Sequence, residues 1–379
     1  MSKAAELANL IGNINAGGGG VNRNVIINGA MNVSQRGTSF SFANATYCLD
    51  RFFMGTGNSS SAATITQDSS APDGFANSLK LDVTTADTSL AVNHIDQILH
   101  KIEAQNLQQL AFGTSSAKNF TLSFYVKSNK TGNYSVNIGQ QDNSYKQANL
   151  LYTINSANTW ERKSLTFTGD TSGVINDDNG SGFEIAWILA SGTTYTSGSN
   201  SASFATYANA NYAANHGVNV FDSTDNTWFI TGLQLEVGQN PTSFEHEPFE
   251  RTLAKCQRYY QLVGRDFSDA TPNTAFGWGY TTSGTHAEGM FRFEKRMREK
   301  PTFTASADGN LDFQTNTGSG AVNTSGNAFT SAVTSETSAE YTQQNYSSNF
   351  GGAGQPYFLK WNGFQGSGIT ASVQLDAEL

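Results

Sequence analysis

Apolar and polar residues alternate one for one through much of this chain. Leu79, Leu81 and Val83 alternate with Lys80 and Asp82, and Leu122, Phe124 and Val126 alternate with Thr121, Ser123, Tyr125 and Lys127. Tyr134, Val136 and Ile138 repeat the pattern, as do Leu165 and Phe167, the run 183–189 and the run 228–237. Successive strand side chains point to opposite faces, so a period of two marks strands with one buried face. Asn, Gly, Ser and Asp fill the gaps, as turns require. This succession predicts an antiparallel sandwich from Val25 to about Glu250, with the long crossing connections of a jelly roll. The stretch from His94 to Phe112 breaks the rhythm and predicts a helical turn across one end. The stretch from Thr193 to Asn215, rich in Ser, Ala, Asn and Tyr, predicts a long surface loop. A second set of strands is expected around 275–280, 289–293, 302–305, 311–314, 357–361 and 369–375, forming a smaller C-terminal β-sandwich.

Two segments carry a helical period instead. In residues 2–11, Leu7, Leu10 and Ile11 fall on one face, Ser2 can cap the first turn and Gly12 is expected to stop the helix. A helix of ten residues is marginal alone in water. Its apolar stripe therefore needs a partner, and Leu7, Leu10 and Ile11 are candidate docking residues ahead of a flexible tether at Gly17 to Gly20. From Pro248 onward, Leu253, Cys256 and Tyr260 share a helical face, which predicts a linker helix over 249–263. The expected organisation is a helix and tether over 1–23, a jelly roll over 24–248, the linker, and a C-terminal β domain over 264–379. The fold class is all-β with a short N-terminal helix.

Composition narrows the function. Only 14% of residues are charged, yet there are 25 Phe, 14 Tyr and 5 Trp, too many aromatics for a disordered chain. The surface implied relies on hydroxyls and amides. A net charge of −9 argues against nucleic acid as the main partner. No apolar run reaches the ~18 residues needed to cross a bilayer, so membrane insertion is not expected, and the N-terminus lacks a secretion-signal pattern. Cys48 and Cys256 are far apart in sequence and read as reduced thiols in or near cores.

Chemistry is sparse. The histidines (His94, His100, His216, His246, His286) are scattered without metal-ligand spacing, and no nucleophile elbow or phosphate loop is present. No catalytic residue and no cofactor is expected. Asp177 and Asp178, in Asp-Asp-Asn-Gly, form the one weak metal candidate, for calcium; a plain turn explains them equally well. With Glu184, they are also the carboxylates a polysaccharide hydrolase could draw on. Recognition remains: sugar rings stack their C–H faces on aromatic platforms. Trp278, Tyr280, Tyr357, Trp361 and Phe364 are the candidate ligand-binding residues. The competing reading places Trp278 and Trp361 in a core, whereas polar or small neighbours favour exposure of Tyr280 and Phe364. Trp160 and Trp187 are assigned to the core of the first sandwich.

Two motifs add a resemblance. Asn24-Val25-Ile26-Ile27-Asn28-Gly29-Ala30-Met31-Asn32-Val33-Ser34-Gln35-Arg36-Gly37 and Gly232-Leu233-Gln234-Leu235-Glu236-Val237-Gly238, with Ala254 to Tyr260 and Met297 to Pro301 downstream, resemble bacteriophage structural proteins of the tail-fibre and receptor-binding type. The likeness implies a virion surface appendage made in the host cytoplasm and usually homotrimeric. It implies docking through the N-terminus on a tail or capsid protein, and contact with a host surface glycan through jelly-roll domains like carbohydrate-binding modules. A head fibre, knob or neck decoration is the alternative from a structural class, and a polysaccharide-degrading enzyme the minor one.

Overall fold

The computed structural model describes residues 2–15, 22–142, 144–263, 275–283, 286–305, 311–315, 322–323, 331–344, 353–354, 356–361 and 373–379. Residues 1–253, together with Leu379, make one compact unit and 254–378 the other.

The first unit opens with α1 (Lys3–Asn15). Ser2 caps it, Ala5 N donating to Ser2 Oγ at 3.3 Å. Gly12 does not end this helix, because one glycine costs only ~1 kcal/mol inside a helix and the register continues past it. Thirteen strands follow: β1 (Ser39–Ser41), β2 (Thr46–Tyr47), β3 (Phe52–Gly57), β4 (Ala62–Asp68), β5 (Ser78–Thr85), β6 (Ile95–Glu103), β7 (Phe120–Ser128), β8 (Gly132–Gln140), β9 (Lys146–Ile154), β10 (Glu161–Phe167), β11 (Ser181–Ser191), β12 (Ser201–Thr206) and β13 (Thr227–Val237). They form two antiparallel sheets, β1-β4-β5-β13-β7-β10 and β12-β9-β8-β11-β6-β3-β2. This is the jelly-roll-like sandwich that the alternation predicts. Most of 94–103 is strand, and only Ala104–Leu110 forms the helical turn, as a 3-10 helix.

The core between the sheets is aromatic. Phe120 stacks on Phe167 and Phe183 on Phe204, while Phe124 meets Tyr152 and Trp187 edge-on. Such pairs add ~1 kcal/mol beyond their burial. Trp187 and Trp228 are fully buried. Trp160 is not in the core. It is half-buried just ahead of β10, edge-on to Phe229, with Lys127 Nζ 5.1 Å from its ring centroid. Both cysteines are buried thiols, and burial pushes that of Cys48 up to about 12.

The Asn24–Gly37 run is irregular rather than strand, with Asn28 and Met31 at positive φ. Its amides do the holding. Asn24 donates to Leu233 O at 2.9 Å and accepts from Leu235 N at 3.1 Å, while Glu245 accepts the backbone N–H groups of Asn22, Arg23 and Asn24. A side chain at Gly29 would meet Leu233 O at 2.2 Å. Buried Glu236 accepts from Thr242 N and Oγ1 and from Gln234 Nε2. The two motifs thus clasp one another.

α4 (Phe249–Cys256) spans the boundary between units. It stops short of the expected helix, since Tyr260 begins a strand. The second unit contains β14 (Tyr260–Val263), β15 (Ala275–Ser283), β16 (His286–Arg292), β17 (Thr302–Ala305), β18 (Leu311–Thr315), β19 (Val322–Asn323), β20 (Ser331–Thr334), β21 (Ser338–Gln344), β22 (Pro356–Trp361) and β23 (Val373–Asp376). These make a three-stranded sheet, β14-β23-β17, and a seven-stranded one, β19-β18-β22-β15-β16-β21-β20. Gln261 donates to Gln257 O and Lys295 O, and Arg298 donates to Arg258 O from its backbone and to Ala377 O from its side chain. The residues of the two downstream motifs are therefore structural partners.

Candidate functional site

The seven-stranded sheet of the first unit has a second face, opposite the core. Alternation on β8 sends Tyr134, Val136 and Ile138 inward and leaves Ser135, Asn137 and Gly139 outward; on β11 it leaves Glu184, Ala186 and Ile188 outward. Register aligns Asn149, Asn137, Ala186 and Leu99 in one row across the sheet and Gln147, Gly139, Glu184 and Lys101 in the next. Asn137, Asn149 and Gln147 are nevertheless buried. The segment after β11 covers them: α2 (Thr193–Thr196), β12 and α3 (Asn209–Tyr212). It is not a loose loop. Asn137 and Asn149 donate to Tyr212 O at 3.0 and 3.1 Å, Gln147 donates to Ala208 O at 2.8 Å, and Gly192 N donates to His94 O at 2.9 Å. Each such bond contributes ~1 kcal/mol net, and its loss would strand a buried polar group.

This flap, β6 and the pair Ser144 and Tyr145 border an open cleft of about 650 Å³, lined by Ile95, Gln97, Ser144, Tyr145, Tyr195, Thr206, Tyr207 and Tyr212. The volume is that of a small-molecule site. Its four phenol rings form a chain, Tyr145 to Tyr207 at 5.1 Å, Tyr207 to Tyr212 at 6.2 Å and Tyr212 to Tyr195 at 6.1 Å, all edge to face. Ser144 and Tyr145 hold φ of 65° and 49°, a left-handed conformation costing on the order of 1 kcal/mol or more for residues with a Cβ. That strained turn lays Tyr145 over Gly139, where a Cβ would stand 2.5 Å from the phenol oxygen. Tyr212 donates to Gln97 Oε1 at 2.9 Å, fixing α3 to β6. Burial, and then the charge of Glu184, raise the Tyr145 and Tyr212 phenols above their ordinary value; burial raises Tyr207 too. These hydroxyls stay protonated at neutral pH and can donate. No lining residue carries a charge.

The sequence candidates lie elsewhere. Trp278 and Tyr280 stand on one face of β15, 60% and 50% exposed, and Tyr280 donates to Glu288 Oε2 at 3.1 Å. Trp278 is not a core residue: it alternates with the buried Gly277 and Gly279 on β15, which puts it on the open face. Tyr357 and Trp361 are in β22, in register with Gly279 and Leu311; Phe364 lies outside the described residues. Asp177 and Asp178 are exposed, with Asp178 Oδ1 accepting Gly180 N at 2.8 Å to close its own turn. Among the described residues, no three His, Cys, Asp or Glu side chains gather as metal ligands. His216 is buried, which lowers it to about 4, and it accepts from Ser135 N at 3.2 Å. Leu7 and Ile11 on α1 are 58% and 49% exposed, and Leu10 is half-buried.

The cleft escaped the sequence reading, although Tyr195, Tyr207 and Tyr212 within the supposed loop were a signal: aromatic residues rarely crowd a segment that packs on nothing.

No protein family and no curated protein matches the chain. Three solved structures align with it weakly. A CBM4 carbohydrate-binding module is 15% identical over 56% of this chain and 99% of its own, with a TM-score of 0.28. A putative sugar binding protein from Bacteroides thetaiotaomicron is 13% identical over 56% of this chain and 99% of its own, with a TM-score of 0.31. The enzymatically active domain of tailspike protein 4 from bacteriophage CBA120 is 13% identical, with a TM-score of 0.30. It aligns over 57% of this chain but only 21% of its own length. Scores this low carry no weight for the site or the function.

Proposed function

We propose that this protein is a glycan-binding virion appendage of the tail-fibre type that works by adhesion rather than catalysis. One observation carries the reading: an uncharged cleft of saccharide size whose walls are four tyrosines and whose remaining polar groups are Gln97, Ser144 and Thr206. Phenol faces offer stacking for sugar C–H surfaces, and hydroxyl and amide groups answer ring hydroxyls. No carboxylate lines the cleft, which leaves a glycosidase without its acid–base pair there. The exposed Trp278 and Tyr280 are a second aromatic surface, and two weak contacts on one chain, repeated over several copies, add avidity. The exposed stripe of α1 serves attachment to the particle, in a trimer, as the motif resemblance implies. A head or neck decoration would use the same parts with a different address.

Purified protein is expected to block phage adsorption to host cells, and Tyr207→Ala is expected to weaken retention on host envelope polysaccharide tenfold or more while leaving the fold intact. Saturating protein without effect on adsorption would refute the receptor-binding role. Labelled protein seen on the head in electron micrographs would favour decoration, and release of reducing sugar from envelope would favour an enzyme.

A further inference from the structure

Where β6 borders the cleft, an alkyl side chain and an amide donor stand side by side. Ile95 and Gln97 both line the cleft, two residues apart on β6 and in phase with Leu99 on the face opposite the core. Positions so spaced on a strand lie about 7 Å apart. Their partners across the register are Gly57 and Gly55 of β3, and the side chains lean over them. A Cβ at Gly57 would stand 3.2 Å from Ile95 Cγ2, and one at Gly55 would stand 3.0 Å from Gln97 Nε2. At these two positions β3 has no side chain with which to cover them. Tyr212 fixes the orientation of the amide: its protonated phenol donates to Gln97 Oε1 at 2.9 Å, which leaves Nε2 as the free end. Among the described residues nothing accepts from Gln97 Nε2, and it is not shut away from solvent. The other polar side chains of the lining are hydroxyls, which accept as well as donate, whereas this N–H pair can only donate. Ile95, packed with Tyr195 against one apolar cluster, offers a ring hydroxyl nothing. The pair suits a ligand group that joins a carbonyl oxygen to a methyl.

We propose that the tyrosine cleft selects acetamido sugars, with Gln97 as the specificity-determining residue: Nε2 donates to the carbonyl oxygen of the acetamido group while its methyl packs on Ile95. The proposal rests on reading the cleft as a glycan site and names the substituent recognised there. An acetyl group bridges the two side chains, since its oxygen needs a donor ~2.9 Å away and its methyl an alkyl contact of ~4 Å. The phenol faces remain for the sugar ring. A plain hexose would set a hydroxyl against Ile95, which costs that group its hydration and returns no bond. It would also leave the Gln97 donor without the carbonyl partner, and sites that hydrogen-bond one ligand group discriminate well against ligands lacking it.

The test is a set of saturation-transfer NMR titrations of the full chain with matched neutral pairs: N-acetylglucosamine and glucose, N-acetylgalactosamine and galactose, N-acetylmannosamine and mannose, tri-N-acetylchitotriose and cellotriose. In at least one pair the acetamido sugar should bind tenfold or more tighter than its partner, with the strongest saturation at the acetyl methyl. Gln97→Glu keeps an acceptor for Tyr212 and removes the donor. It should melt close to wild type and lose tenfold or more of the acetamido affinity, with little change for the plain sugars. Ile95→Thr keeps the β-branch and should cost the acetamido sugars roughly threefold, the scale of one lost alkyl contact. Tyr207→Ala should weaken both members of a pair alike. Plain sugars bound as tightly as their acetamido partners in every pair would overturn the selectivity and keep the cleft. An acetamido preference intact in Gln97→Glu would overturn the role of Gln97. Binding of none of the eight would bring down the glycan reading of the cleft and this proposal with it.

Discussion

His94 shows how a single buried residue can matter to the stability of this protein. It is fully buried, with Nε2 2.8 Å from Asp96 Oδ2 and Nδ1 3.8 Å from Asp87 Oδ2. Ser59 and Ser61 donate to the same Asp96 oxygen, while Ser60 N and Ser89 N donate to Asp87. Burial alone would lower the histidine, but the bond to Asp96 and the charges of Asp96 and Asp87 outweigh it, and the pKa ends above 6.5. The folded value is raised over the unfolded one. The stabilisation is therefore fully present below about pH 6.5 and fades as pH climbs through the folded pKa. His94→Gln is expected to cost about 3 kcal/mol at pH 6, the scale for breaking a buried ion pair. In urea titrations the gap to wild type should shrink steadily toward pH 9; a gap independent of pH would contradict this account.

At the scale of elements, the clasp between residues 22–36 and β13 explains why the two most conspicuous motifs are where they are. Asn24 supplies three bonds at once, to Leu233 O, Leu235 N and Ile26 N. At ~1 kcal/mol each, Asn24→Ala should destabilise the first unit by about 2–3 kcal/mol, or roughly 6 °C in melting temperature for a unit of this size. A calorimetric shift under 1 °C would show the clasp to be incidental. The motifs thus carried information about folding, and the strands were equally readable: β5, β7, β8 and β11 each follow a period of two with a clean apolar side, and β13 does so in two halves whose phase shifts at the bulge between Thr231 and Gln234. The binding surface was not readable in the same way. Asn137, Gln147 and Asn149 occupy the polar phase of that alternation, which says only that they avoid the core. Whether water or another part of the chain covers them depends on a flap of two four-residue helices and a polar strand, elements too short to show a period. Tyr145 was hidden for a different reason, since its placement depends on a left-handed turn and on Gly139 beneath it, and neither leaves a hydrophobic pattern. At Trp278 the sequence left a binding face and a core both open, because the alternating glycines removed the neighbours that would have marked its face as exposed.

For the whole molecule, the question is what α1 is for. A helix of 13 residues with Leu7 and Ile11 about half exposed buries little apolar surface of its own. Burying the exposed half of two such side chains is worth ~2–3 kcal/mol, enough to matter for docking where folding is indifferent. The cleft, the clasp and the aromatic core all lie in residues 22–253 and owe α1 nothing. Removing residues 2–15 is therefore expected to leave the melting temperature within about 1 °C and retention on envelope polysaccharide unchanged, while the protein disappears from purified particles. Immunoblots of particles against equal amounts of soluble protein measure this directly. Incorporation retained by the shortened chain would move the attachment surface onto the β units and leave the exposed leucine and isoleucine of α1 without a purpose in assembly.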